Sequence, residues 1–197
     1  RPGTWTPSKA HGSNSNRSQP LETPLGTLTS LANKYQTDKG STHSRGQYGP
    51  QNYTSFYETL LGDWWNRNFR MLEIGVAQGA SLRMWRDFFP FAEIWGLDSA
   101  PNDVPGCTVI GGDQQDKQLL ATFPCFNLVI DDGSHEFTHH LASFEVLHPR
   151  LQAGGLYIIE DLQADFNGGK SREHFSRLPG ASLECEGRIV VIKKEYE

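Results

Sequence analysis

Leu72-Glu73-Ile74-Gly75-Val76-Ala77-Gln78-Gly79-Ala80-Ser81 decides how the chain is read. The apolar run RMLEIG (70–75) has the length and residue types of a buried strand. It passes two glycines four positions apart and enters SLRMWRDFF (81–89), whose apolar residues recur at helical spacing until Pro90 ends them. In a strand-turn-helix, glycine lets the backbone approach a ligand closely, and the opening of the helix presents free N–H groups. The spacing ExGxxxG differs from the dinucleotide fingerprint GxGxxG, which turns more tightly around a pyrophosphate. The turn from Glu73 to Ser81, with its glycines at Gly75 and Gly79, is therefore the expected seat of a small polar ligand.

Outward from this turn the pattern repeats. EIWGLD (93–98), TVIGGD (108–113), FNLVIDD (126–132) and GGLYIIED (154–161) read as strands, with DKQLLATF (116–123) and EFTHHLASFEVLHPRL (136–151) as helices between them. Such alternation predicts a mostly parallel sheet covered on both faces. Upstream, Leu25, Leu28, Leu31, Ala32 and Tyr35 recur at helical spacing, and a second helix is expected from Tyr53 to Leu61. Downstream, SLECEG and RIVVIKKE (182–195) lie too close together for a crossover and must form a hairpin, an antiparallel edge. The expected fold is a doubly wound, Rossmann-like α/β domain of seven strands over residues 24–197. Residues 1–23, rich in Pro, Ser, Asn and Gly, read as a flexible tail or linker.

At 197 residues the chain suits one such domain. It holds no run of eighteen apolar residues, so no membrane helix is expected. The net charge is −5 and no lysine or arginine stripe tracks a phosphate backbone, which argues against a nucleic-acid partner. Three widely spaced cysteines without a CxxC fit a reducing, cytoplasmic setting better than a disulfide framework. The first residue is Arg1 rather than Met, which leaves open excision from a longer, multidomain parent; a homo-oligomer is equally open.

Three further groups of residues carry chemistry. Asp98 closes its strand about twenty residues after the glycine turn, where a carboxylate can take both hydroxyls of a ribose. Asp113 and Gln114 end the next strand on the same rim, within reach of an adenine edge. Asp131-Asp132-Gly133-Ser134-His135 and Glu160-Asp161 end two strands expected to be neighbours, so four carboxylates meet at one sheet edge. Like charges that close repel unless they are partly protonated or share a cation, and all-oxygen donors without cysteine favour Mg²⁺, with Mn²⁺ or Ca²⁺ as alternatives. Asp132, Glu160 and Asp161 are the expected ligands. Asp131, turned the other way by strand alternation, is assigned to the cofactor side. Histidine titrates near neutrality, and His135 lies in the same turn, so it is the candidate general base. His139, His140, His148 and His174 read as surface or packing residues.

These residues together resemble the metal-dependent class I S-adenosylmethionine (SAM) O-methyltransferases, the family of the macrolide and anthracycline deoxysugar methyltransferases and, more loosely, of the cephalosporin-modifying methyltransferase. The resemblance runs over about residues 28–194. It is carried by KYQTDKGSTH (34–43) with Tyr48, Tyr53 and Tyr57, LEIGVAQGASLRMWRDFFP (72–90), IWGLD (94–98), GDQQD (112–116), LVIDDGSH (128–135) and YIIEDL (157–162). It implies SAM binding at Glu73, Gly75, Gly79, Ser81 and Asp98 with Asp113 and Gln114 near the adenine, Mg²⁺ on Asp132, Glu160 and Asp161, and His135 as base. Asp38, Lys39, His43 and Tyr53 match the family's N-terminal segment without a definite role.

The implied activity is methyl transfer to a hydroxyl of a sugar or polyketide-type natural product, small or carrier-tethered. Between Asp161 and the hairpin the chain carries less material than the sugar-modifying members, in a region that would cover the substrate. A catechol-type O-methyltransferase and a non-catalytic SAM-binding module are the alternatives. A nicotinamide oxidoreductase is disfavoured by the glycine spacing and the hairpin.

Overall fold

The computed structural model describes residues 26–43, 49–162 and 169–195. The expected tail, Leu25, Tyr48 and part of the segment after Asp161 lie outside the described residues. Seven strands form one sheet: β1 (Arg70–Ile74), β2 (Glu93–Asp98), β3 (Thr108–Gly111), β4 (Leu128–Asp131), β5 (Leu156–Ile159), β6 (Ala181–Glu184) and β7 (Ile189–Lys193). Their spatial order is β3-β2-β1-β4-β5-β7-β6. β1 to β5 run parallel, and β7 is antiparallel to both β5 and β6, so the terminal hairpin closes one edge as expected.

Strand alternation sorts the core into two layers. Met71, Ile94, Leu128, Ile130 and Ile158 point to one face, where they meet α1 (Leu28–Tyr35), α2 (Thr54–Leu61) and α3 (Ala80–Phe88) through Leu28, Leu31, Tyr57, Leu82 and Trp85. Leu72, Ile74, Val129, Tyr157 and Ile159 point to the other. There they meet α4 (Lys117–Ala121), α5 (Phe137–Leu147) and α6 (Lys170–Phe175) through Leu120, Leu147 and Phe175. Every residue of β4 and β5 is buried, as central parallel strands require, whereas β3 at the edge is half-exposed.

The helix ends follow local chemistry. Thr27 caps α1 by accepting the Ser30 amide, and Asp116 caps α4 by accepting the amides of Gln118 and Leu119. Within α3, Leu82, Trp85 and Phe88 share the buried face, and the helix stops before Pro90. No described helix is long and apolar enough to cross a membrane.

Register aligns the strand ends that matter. Ile74 pairs with both Leu97 and Asp131, and Asp131 pairs with Ile159, so Gly75, Asp98, Asp132 and Glu160 emerge along one edge. Backbone bonds continue the ladder one step further: Gly75 N–H to Leu97, Asp132 N–H to Ile74 and Glu160 N–H to Asp131, each at 2.9–3.0 Å.

Candidate active site

Two adjoining sites occupy this edge. The first is an open crevice of about 270 Å³ above β1, β2 and β3, floored by Ile74 and Leu97 and walled by Gly75, Asp98, Asp113, Gln114, Ser134 and His139. Gly75 holds φ +91°, and a Cβ there would stand 2.0 Å from the Asp132 carbonyl oxygen. The glycine is required by the close passage of two strand ends. Asp98 ties the turn in place, accepting the Ala77 amide on Oδ2 at 2.8 Å and the Ala100 amide on Oδ1 at 2.9 Å.

Several residues assigned to the ligand act here as its frame. Glu73 is fully buried and accepts from Ser81 Oγ at 2.7 Å and Trp85 Nε1 at 3.3 Å, so the two residues bind each other across the glycine turn. Gln114 lines the crevice, yet its amide is committed: Nε2 donates to Asp131 and Oε1 accepts the Ser134 amide. Asp131 points away as alternation requires, but it does not line the crevice. It is fully buried and accepts from Gln114 at 3.1 Å, Ser143 at 2.6 Å and Tyr157 at 3.0 Å, which makes it the anchor of Gln114 and corrects its assignment to direct cofactor contact. His139 walls the crevice and pairs with the Ser134 hydroxyl at 2.7 Å, although helical position alone marked it as a surface or packing residue.

The second site is acidic. Ligand atoms of Asp132, His135 and Asp161 all lie within 4.8 Å of one another, a separation one ion can span. His135 and Asp161 both hold left-handed backbone, φ +61° and +56°, a conformation that non-glycine residues adopt rarely and that concentrates at functional sites. Asp161 is held by Tyr53 on Oδ1 at 2.7 Å and by Gln51 on Oδ2 at 2.8 Å, while His135 Nε2 stands 4.0 Å from the same Oδ2. The side-chain Oε1 of Gln51 is buried and accepts nothing from the described residues.

Glu160, the third expected ligand, is not among these three converging residues but stands beside Asp132 on the Lys39 ammonium. It is fully buried and accepts from the Tyr57 hydroxyl on Oε1 and from Lys39 Nζ on Oε2 at 2.6 Å. Lys39 also stands 2.6 Å from Asp132 Oδ2 and 3.7 Å from Glu73 Oε1. The crowding of acids is thus relieved by a shared cation that the chain itself supplies, the Lys39 ammonium. Burial works against that charge, but the carboxylates of Asp132, Glu160 and Glu73 outweigh it and raise the Lys39 pKa well above that of a free lysine. Burial likewise raises the Glu160 carboxyl, against the pull of Lys39. The only sequence signal for Lys39, Gln51, Tyr53 and Tyr57 was membership of a segment without assigned roles, or a place beside it.

No known family profile matches the chain. Among curated proteins it is 38% identical over 150 residues to the mycinamicin VI 2''-O-methyltransferase of Micromonospora griseorubida, covering 68% of this chain and 36% of that protein. It is 35% identical over 138 residues to the 8-demethyl-8-alpha-L-rhamnosyl tetracenomycin-C 2'-O-methyltransferase of Streptomyces olivaceus, covering 63% and 36%. Over the matched stretch the chain is a homologue of these O-methyltransferases. It spans about a third of the length of these curated relatives. Among solved structures, the MycE methyltransferase from the mycinamycin biosynthetic pathway, in complex with Mg and SAH, superposes with a TM-score of 0.70 at 30% identity, covering 86% of this chain and 55% of that one. A caffeoyl-CoA O-methyltransferase-like structure from Staphylococcus aureus, at 13% identity and a TM-score of 0.59, shares the fold alone. The seven-stranded sheet of this homologue is that of the class I methyltransferases.

Proposed function

We propose that this chain is the cofactor- and metal-holding part of a SAM-dependent O-methyltransferase that modifies a sugar hydroxyl on a natural product. One observation carries the reading. The loop 132–135 belongs to both sites at once: Gly133 and Ser134 wall the crevice, and Asp132 and His135 enter the acidic cluster. A nucleoside in the crevice and an oxygen at the cluster would therefore meet across one turn of chain.

The residues fit both groups. Each Asp98 oxygen accepts one backbone amide and keeps a lone pair for a ribose hydroxyl. Asp132 and Asp161 would hold a hard divalent cation, with Glu160, 2.6 Å from the same ammonium as Asp132, as the third carboxylate of the set. When bound, SAM supplies the electrophilic methyl group and the cation supplies Lewis acidity toward neighbouring substrate oxygens. His135 takes the proton of the attacking hydroxyl, and Asp161, 4.0 Å away, stabilises the charge gained. Tyr53 and Gln51 keep Asp161 oriented.

The test is methyl transfer from labelled SAM to a deoxysugar-bearing macrolide or to a rhamnosylated tetracenomycin, after metal stripping and again with Mg²⁺ restored. Product that appears only with Mg²⁺ is expected. Transfer to vicinal phenols but to no sugar would turn the reading to the catechol class. SAH binding with no acceptor methylated would leave a binding module.

A further inference from the structure

Lys39 shares one of its carboxylates with the cluster that would receive the metal. Asp132 is within 2.6 Å of the ammonium and is also one of the three residues whose ligand atoms converge. The lysine cannot easily withdraw. Its backbone carbonyl accepts the amides of Tyr53 and Thr54, the neighbouring Gly40 carbonyl accepts Asn52 and the Asp38 carbonyl accepts Gln51, at 2.8–3.2 Å. The side chain is 2% exposed, with Glu160 at 2.6 Å and Glu73 at 3.7 Å completing its surroundings. Glu73 and Glu160 are each held by further donors, Ser81 and Trp85 for one and Tyr57 for the other.

We propose that Lys39 is the built-in counter-ion of the acidic cluster, holding Asp132 and Glu160 together when no metal is present and opposing the divalent cation when it binds, so that it sets the strength of metal binding. This rests on the metal-dependent reading above. Two cations on one half-buried carboxylate repel each other at short range. Removing one leaves the acids uncompensated until the other arrives. Lys39 is thus a positioning residue, acting through Asp132 and Glu160.

The experiment compares the metal-stripped chain with K39M and K39R by thermal melting and by calorimetric titration with Mg²⁺. K39M is expected to melt lower without metal, to recover most of that loss in saturating Mg²⁺, and to bind Mg²⁺ about tenfold more tightly. K39R, which keeps the charge, is expected to bind Mg²⁺ within about twofold of the parent. Folded K39M with unchanged or weaker Mg²⁺ affinity overturns the proposal. Should K39M not fold alone, K39Q carries the same expectations, and folding of either only when Mg²⁺ is supplied supports the proposal. Failure of both even in saturating Mg²⁺ overturns it, since the metal then cannot take over the lysine's charge. A parent chain that binds no Mg²⁺ refutes the metal reading itself, whereas a parent that binds it with K39M unchanged refutes only the role of Lys39.

Discussion

The crevice and the acidic cluster share an edge of the sheet but are built in opposite ways. The crevice is assembled from short-range ties: Glu73 to Ser81 eight residues on, Asp98 to Ala77 and Ala100, Gln114 to Asp131 and Ser134. The cluster is assembled across the whole domain, with Lys39 reaching Asp132 and Glu160, Tyr53 reaching Asp161 and Tyr57 reaching Glu160, all from the segment before the sheet. A local site is set by the strand-turn-helix that carries it. A distant one depends on how the helical layer docks.

If the two are separable in this way, D132A should cost methyl transfer several kcal/mol of transition-state stabilisation, roughly 10³-fold in rate, while SAH affinity measured by calorimetry stays within about threefold. Equal loss of both would show that the shared loop makes them one site. G75A attacks their junction. The new Cβ would meet the Asp132 carbonyl at 2.0 Å from a left-handed backbone, so denaturant unfolding should show a loss of about 3 kcal/mol or more. A near-neutral result would mean the strand ends shift freely.

D98A removes two amide acceptors from the crevice alone. SAH binding should weaken about tenfold, at an expected cost of about 1–2 kcal/mol in stability, with the Mg²⁺ isotherm unmoved.

The smallest effect lies behind both regions. His140 is fully buried and bonded to Ser171 at 2.9 Å, and burial lowers its pKa below the ordinary value. The unfolded chain then binds a proton that the native state refuses. Stability attached to this group is complete above about pH 6.5 and is lost as the pH falls below it, by up to about 1.4 kcal/mol per pH unit. H140L should flatten that slope in pH-dependent melts, and an unchanged slope would place its origin elsewhere.

The contrast also explains what could be read from residues alone. Strands and helices leave a period in the sequence, so the sheet, the hairpin and the edge bearing Asp98, Asp132 and Asp161 were legible. Parity even showed that Asp131 turns from Asp132, since residues two apart share a face. What parity cannot tell is the partner on that face: Ser143 and Tyr157 for Asp131, Lys39 and Tyr57 for Glu160. A hydrogen bond between side chains a hundred positions apart has no periodic footprint. Gln114 illustrates the same limit at short range, because a polar residue on a ligand rim looks alike whether its amide faces the ligand or the frame.

The span of the Lys39–Glu160 contact, 121 residues, gives the two regions different birthdays. At 5–20 residues per second of synthesis, the lysine joins the chain roughly 6 to 24 s before the last of its three acids does. Long loops also close late in refolding, because their entropy is lost before any contact repays it. A nascent chain halted just past Ser134 would already contain the strands and turns of the crevice, with only Glu73 and Asp132 of the three acids available to Lys39. The charge balance of the acidic cluster is a property the chain can have only once β5 has been made.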